Sequence, residues 1–235
     1  MSGVVIPADR PVRSAPPELH SGDALSQAEF HQRYLRDDRE LPIELVDGIV
    51  YMASPVGRQH ARYQVNLGHL LGHYEAFTEG VAATADGTVI LDSRNEVRPD
   101  GALIVLPEFG GQTTLASGEF TKGPPEWVAE IAHSSISIDL HRKKTAYQRA
   151  GVHEYFVLSV ADQTVHWFNF RARRPITADE FGVMRSRVFP GLWIDVPALL
   201  NHRARPMIQT LEAGLASPEH KEFVDRLAVT RKKTR

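Results

Sequence analysis

The feature that constrains this chain most is a glutamate in the middle of an apolar strand. Trp127-Val128-Ala129-Glu130-Ile131-Ala132 carries no other polar side chain except the indole at its start. Alternate strand residues share a face, so Glu130 lies with Val128 and Ala132. An ionised carboxylate there is costly to bury unless it is paired or binds a metal. Val97–Leu106 poses the same problem upstream, with Asp100 on the face of Ala102 and Ile104. Two such acids in adjacent central strands repel unless a cation lies between them. Hard oxygen ligands favour Mg²⁺ or Mn²⁺ over zinc. The plain alternative is an acid at a solvated strand end, or paired with an arginine such as Arg98.

A helix is expected from about Ser137 to Ala150, ended by Gly151. At about 3.6 residues per turn, Ile136, Asp139, Lys143, Ala146, Tyr147 and Ala150 fall on one stripe. Lys143 therefore faces inward, Arg142 points away and Lys144 sits at the margin. An Asp139–Lys143 pair at i,i+4 would explain the lysine structurally, but such pairs usually occupy the wet face. An inward lysine beside a metal can hold or activate a water and stabilise phosphate charge.

The rest of the chain reads as scaffold. Residues 1–24 are rich in Pro, Ser, Gly and Ala and are expected to form a mobile tail. Ser26 and Glu29 have capping-box spacing for a short helix through Phe30, Tyr34 and Leu35. Asp47-Gly48 between two β-rich runs predicts a hairpin over Ile43–Met52. The spacing of Tyr63, Leu67, Leu70, Tyr74 and Phe77 predicts an amphipathic helix. Further strands are expected over Val81–Leu91, with a turn at Asp86-Gly87, and over Val97–Leu106, Glu154–Ser159, Thr164–Phe170 and Val183–Val188. Pro107–Glu126 is long and glycine-rich, the profile of a lid or binding loop. Helices are expected around Met207–Leu215 and Pro218–Val229. The pattern is a mixed α/β domain over residues 25–200, with a helical, basic-ended extension over 201–235.

The 235 residues contain no cysteine, which excludes disulfides, thiolate metal sites and a cysteine nucleophile. No stretch is long and apolar enough to span a bilayer, so a cytoplasmic protein is the default. A formal net charge of −2 does not advertise a nucleic-acid partner.

A Pro-Asp at the mouth of one strand, an acid on the next and a nearby lysine resemble the PD-(D/E)XK nuclease superfamily. Within it, the chain is similar to the prokaryotic Uma-two family of restriction-endonuclease-like proteins. The matching residues are Ile43-Glu44-Leu45-Val46-Asp47-Gly48, His60, Val97-Arg98-Pro99-Asp100, Val128-Ala129-Glu130-Ile131, Asp139-Leu140-His141-Arg142-Lys143 and Ala150-Gly151-Val152-His153-Glu154-Tyr155. Phe189-Pro190-Gly191-Leu192-Trp193 also fits, so the likeness covers roughly residues 25–200. It implies a mixed sheet flanked by helices, with an extra N-terminal hairpin and a Mg²⁺-dependent (or Mn²⁺-dependent) phosphodiesterase site. It places the metal on Asp100, Glu130 and the backbone carbonyl of Ile131, with Lys143 as the basic catalytic residue. The superfamily lysine two residues after the glutamate is replaced here by Ala132. Delivery of a lysine from the next helix is a variation this family shows, and Ala132 leaves room for it. His133-Ser134 stands where members often have Ser-Pro. The resemblance implies a nucleic-acid substrate, with DNA expected, and a homodimer would suit double-strand cutting.

Several residues have two readings. Glu44 either extends the acid cluster or forms a salt bridge at the hairpin. His60 is a hydrogen-bonded core histidine, or it reaches the substrate. His69 and His73 have zinc-ligand spacing, yet Leu70 stands where a zincin has glutamate, and two solvent-facing histidines account for them better. Arg171, Arg173, Arg174 and the basic C-terminus either touch phosphates or are solvated. The function expected is a metal-dependent endonuclease. The alternative is a catalytically inactive nuclease-fold module that binds nucleic acid or protein. A histidine-zinc hydrolase is a third reading.

Overall fold

The computed structural model describes residues 17–37, 39, 41–52, 55–115 and 120–234. Helix α1 (Gln27–Tyr34) starts where Ser26 accepts the Glu29 amide. The Glu29 carboxylate does not complete the box, because it pairs with Arg33 instead. The hairpin β1 (Ile43–Val46) and β2 (Ile49–Met52) turns through Asp47 and Gly48, at φ of 55° and 77°. Both central residues at positive φ make the tight turn that matches strand twist. The expected mobile segment lies outside the described residues up to residue 16. After it, Leu19 is buried and Ala24 bridges to Ile49, so this stretch lies along the hairpin.

Helix α2 (Arg58–Ala76) buries Tyr63, Leu67, Leu70, Leu71 and Tyr74. Strands β3 (Val81–Thr84), β4 (Val89–Asp92), β5 (Asn95–Val97) and β6 (Gly101–Val105) follow. The run Val97–Leu106 is therefore not one strand. Pro99 has no N–H to give a ladder and restricts Arg98 before it. At Arg98-Pro99-Asp100 the chain crosses from one sheet to another.

Pro107–Glu126 is not the structureless loop its composition suggests. It makes a 3-10 turn and strands β7 (Thr114–Leu115) and β8 (Thr121–Lys122), and β8 pairs in parallel with β4. The buried Glu126 carboxylate ties it down by accepting the Val105 and Gln112 amides. Residues 116–119 of this expected lid lie outside the described residues. Among the described ones, none hydrogen-bonds to Asp100, Glu130 or Lys143.

Strand β9 (Trp127–Ala132) leads into α3 (Ile136–Ile138), a π-helical turn (Asp139–Lys143) and α4 (Lys144–Ala150). Gly151, at φ 101°, ends that helix in the left-handed conformation. Strands β10 (Glu154–Ser159), β11 (Thr164–Asn169), β12 (Arg174–Ile176), β13 (Val183–Arg185) and β14 (Trp193–Asp195) come next. Helices α5 (Val196–Leu200), α6 (Ala204–Leu215) and α7 (Pro218–Thr234) close the chain.

One six-stranded sheet has the order β2-β1-β5-β4-β8-β7 and the other β12-β11-β10-β9-β6-β3. The hairpin is thus one edge of a second sheet rather than an isolated addition. In the other sheet, β9 and β10 are parallel, and the helix between them is the crossover such a pair requires. That crossover packs Ala146 and Tyr147 over the face carrying Val128 and Ala132. The opposite face, with Trp127, Ala129 and Ile131, meets α2 and the C-terminal helices through Leu67, Met207, Leu211, Phe223 and Leu227. The C-terminal residues 204–234 are packed onto this core.

Candidate functional site

Strand register brings the two orphan acids together. β6 and β9 pair antiparallel with Gly101 opposite Ala129, so one step further sets Asp100 across from Glu130. The Ile131 amide donates to Asp100 Oδ2 at 2.7 Å, which fixes this carboxylate at the strand mouth. Gly101 lets α2 come close: a Cβ there would lie 2.8 Å from Leu71 Cδ1 and 3.1 Å from Leu67 Cδ2. From α2, His60 Nε2 reaches Asp100 Oδ1 at 3.0 Å. The side chain of Arg98 turns to the Asp86 carbonyl, so among the described residues neither acid has an arginine partner.

The crossover helix supplies the cation. In the π turn the Lys144 amide reaches back five residues to the Asp139 carbonyl, which also accepts the Tyr155 hydroxyl at 3.1 Å. Turns of this kind are concentrated at functional sites. Both Asp139 and Lys143 are buried here, as the helical stripe predicts. Lys143 Nζ lies 2.7 Å from Glu44 Oε2, 3.0 Å from Glu130 Oε1 and 3.9 Å from Asp139 Oδ1. Glu44 is thus part of the cluster, and its Oε1 accepts the Arg98 amide at 2.7 Å. Tyr147 donates its hydroxyl to Glu130 Oε1 at 2.7 Å, and Ser135 donates to Asp139 Oδ2 at 2.6 Å.

Exposure separates a mouth from a floor. The side chains of Glu44, Asp100 and His60 keep 14%, 12% and 16% of their surface, whereas Glu130, Lys143 and Asp139 keep 5%, 8% and 2%. Burial pushes the Glu130 carboxyl well above the usual carboxylate range, against the pull of Lys143. Burial likewise raises Asp139. Burial alone would lower Lys143, but Glu130, Glu44 and Asp139 outweigh it and hold the ammonium well above its ordinary value. The Asp100 hydrogen bond raises His60 against an opposing effect of burial.

Four carboxylates therefore surround one ammonium and one imidazole. This donor set is all hard oxygen with an excess of negative charge, and it fits a divalent Mg²⁺ or Mn²⁺ in kind. Among the described residues, no three His, Asp or Glu side chains form a ready-made cage. The acids are turned instead to Lys143, His60 and main-chain amides. Cation binding by Asp100 and Glu130 would exchange those partners.

Sequence reasoning missed Tyr147 as a partner of Glu130 and gave Asp139 no role beyond an i,i+4 pair with Lys143. The signal for both was the shared stripe with Lys143. His69 is exposed as expected, but His73 is not solvent-facing. It packs on the Phe77 ring at 4.9 Å between centroids and lies 3.9 Å from Glu212 on α6, because that helix covers it. Arg171 and Arg173 are exposed on a turn, and Arg174 is exposed at the start of β12. The C-terminal basic run continues α7 to Thr234.

A family model described as "Uma2: Putative restriction endonuclease" matches residues 27–197. A solved structure, "a putative nuclease belonging to DUF820" from Anabaena variabilis, is similar at a TM-score of 0.57 and 12% identity, covering 72% of this chain and 96% of that one. At such identity the likeness is one of fold. No curated protein matches the chain.

Proposed function

The chain belongs to the Uma2 family, and from that premise we propose that it is a metal-dependent endonuclease hydrolysing phosphodiester bonds, with DNA as substrate. The observation that carries this reading is the convergence of Asp100, Glu130 and Lys143, with Glu44 closing the ring around the lysine. Asp100, Glu130 and the Ile131 carbonyl would hold Mg²⁺ or Mn²⁺. When bound, the cation would polarise the scissile phosphate and assist an attacking water. Lys143, held protonated by three acids, supplies positive charge next to the developing phosphate charge. Glu44 and Asp139 orient that ammonium. Tyr147 fixes the Glu130 carboxylate, and His60 fixes Asp100 from the other side of the strand.

The nuclease unit is proposed to span residues 25–200, with 201–235 as a helical extension. A homodimer presenting two sites would suit double-strand cutting. No helix among the described residues is long and apolar enough to cross a membrane, and a cytoplasmic location is part of the proposal.

The test is incubation of the purified full chain with plasmid DNA and with RNA, in Mg²⁺, Mn²⁺ or EDTA. Cutting is expected with metal and is lost in Asp100→Ala and Glu130→Ala. Absence of cutting under every condition, or cutting by Asp100→Ala at the wild-type rate, would sink the reading. The second reading, an inactive nuclease-fold binding module, is favoured by one observation. Both Asp100 oxygens and Glu130 Oε1 already have partners. Calorimetry with Mn²⁺ separates the two: a working site binds Mn²⁺ in a manner lost with Glu130→Ala.

A further inference from the structure

At the other end of the sheet, five arginines line two adjoining depressions whose lining holds a single acid, Asp179. Arg171 from the β11–β12 turn, Arg187 from the loop after β13 and Arg226 from α7 line one concave depression of about 830 Å³. Asn169 and the backbone around Gly110 complete its wall, and Phe223 and Leu227 lie in its floor. No aspartate or glutamate lines it. Arg171, Arg187 and Arg226 form no ion pair among the described residues, although the chain as a whole carries 29 acids to 27 lysines and arginines. A second depression, of about 560 Å³, shares Asn169 and Arg187 with the first and adds Arg174 and Arg185. Its one acid, Asp179, is paired with Arg185.

This track is separate from the acid cluster. Glu154, which pairs with Asn169 across β10 and β11, is level with Trp127 on β9, three residues before Glu130. That offset is about 10 Å along the strand, and it leads away from the site. Beneath the track the buried Glu154 holds the arginine loop in place by accepting the Arg187 and Val188 amides. The loop is thus preorganised rather than loose.

Unpaired arginines on a flat surface are ordinary solvated groups. Several of them in one concavity repel each other, and low-dielectric walls focus their field outward. The planar guanidinium fork matches phosphate geometry bidentately. Four unpaired arginines along two adjoining depressions, with Arg185 held by Asp179 beside them, exceed what a single phosphate can engage, so a chain of phosphates fits better than a lone anion.

We propose that the track of Arg171, Arg187 and Arg226, continued by Arg174 and Arg185, grips the phosphate backbone of a nucleic-acid strand away from the acid cluster. The identity of the ligand rests on the nuclease reading, but the grip is tested by binding and not by cutting. Fluorescence anisotropy would follow a labelled DNA duplex about 20 base pairs long, and a single strand of the same length, against a salt series in EDTA. The proteins are wild type, the triple variant R171A/R187A/R226A and, as control, Arg62→Ala on α2.

Wild type should bind the labelled DNA with a steep dependence on salt. Each lost phosphate contact removes about 0.9 from the slope of log affinity against log salt, so the triple variant should lose roughly 2 to 3. Arg62→Ala should keep the full slope. The variant R171Q/R187Q/R226Q, which keeps polar side chains of similar length, must repeat the result if the alanine triple is poorly folded. An unchanged slope in the triple variants overturns the proposal. So does a wild-type protein that binds inorganic pyrophosphate in calorimetry but neither DNA. If no cutting is found yet the slope still falls, the nuclease reading fails and the grip stands.

Discussion

Lys143 Nζ lies 2.7 Å from Glu44 Oε2, closer than to Glu130 Oε1 on the strand beneath its own helix. One ammonium thus ties the crossover helix of one sheet to the hairpin of the other. Breaking a buried charge arrangement by removing one partner is strongly destabilising, because it leaves the others uncompensated. Lys143→Met should therefore cost about 3 to 5 kcal/mol in urea unfolding. Glu44→Gln, at the more exposed mouth, should cost clearly less. Equal losses would mean that the buried contact with Glu130 adds nothing to the pair with Glu44 at the mouth.

Tyr147→Phe removes the hydroxyl that donates to Glu130 Oε1 at 2.7 Å while leaving its ring in the core. Stability should fall by about 1 kcal/mol. Loss of a group that orients a ligand should also weaken Mn²⁺ binding by roughly tenfold or more, read by calorimetry. An unchanged Mn²⁺ affinity would show that Glu130 is oriented without the tyrosine.

Gly101→Ala tests how closely α2 must approach. The new Cβ would sit 2.8 Å from a Leu71 methyl and 3.1 Å from Leu67, both fully buried. Overpacking of this kind costs about 1 to 3 kcal/mol. A thermal melt at the wild-type midpoint would mean that the helix adjusts freely.

Acid lability should trace in part to His153. Burial, with Arg171 nearby, lowers its pKa to about 4 from the model-compound 6.5, and its Nδ1 is buried without a partner. Between those values the unfolded chain binds the proton and the folded chain does not, so stability is lost as pH falls through that window. The buried Glu126 and Glu154, raised by burial, work in the opposite direction. The informative quantity is therefore the difference between proteins. The melting temperature of His153→Leu should drop less than that of wild type between neutral pH and about pH 5. Parallel drops would remove His153 from the account.

Local chemistry in the sequence was enough for several turns and helix ends and for the inward face of the crossover helix. Asp47-Gly48 specified its turn, Ser26 its cap and Gly151 its helix end. The inward stripe placed Lys143 and not Lys144, whose ammonium instead lies 3.8 Å over the Phe168 ring. The break at Pro99 was hidden, because apolar residues run on both sides of it and nothing local says that the two halves join different sheets. The strands within Pro107–Glu126 were hidden for a related reason. Their ladders and the Glu126 anchor are contacts with distant segments, which composition does not record. Asp139 and Tyr147 lay on the right stripe, but only the packed crossover shows that Asp139 meets Ser135 and that Tyr147 meets Glu130.

The switch of sheets at Arg98-Pro99-Asp100 also sets how the pocket bears shear. Within those three residues the Arg98 amide holds Glu44 of one sheet and the Asp100 carboxylate holds the Ile131 amide of the other. Each bond anchors one end of the Arg98–Asp100 link to its own sheet, and the Lys143–Glu44 contact spans the two. The mouth of the pocket therefore works as a rivet, where the covalent link and the ion pair between the sheets coincide.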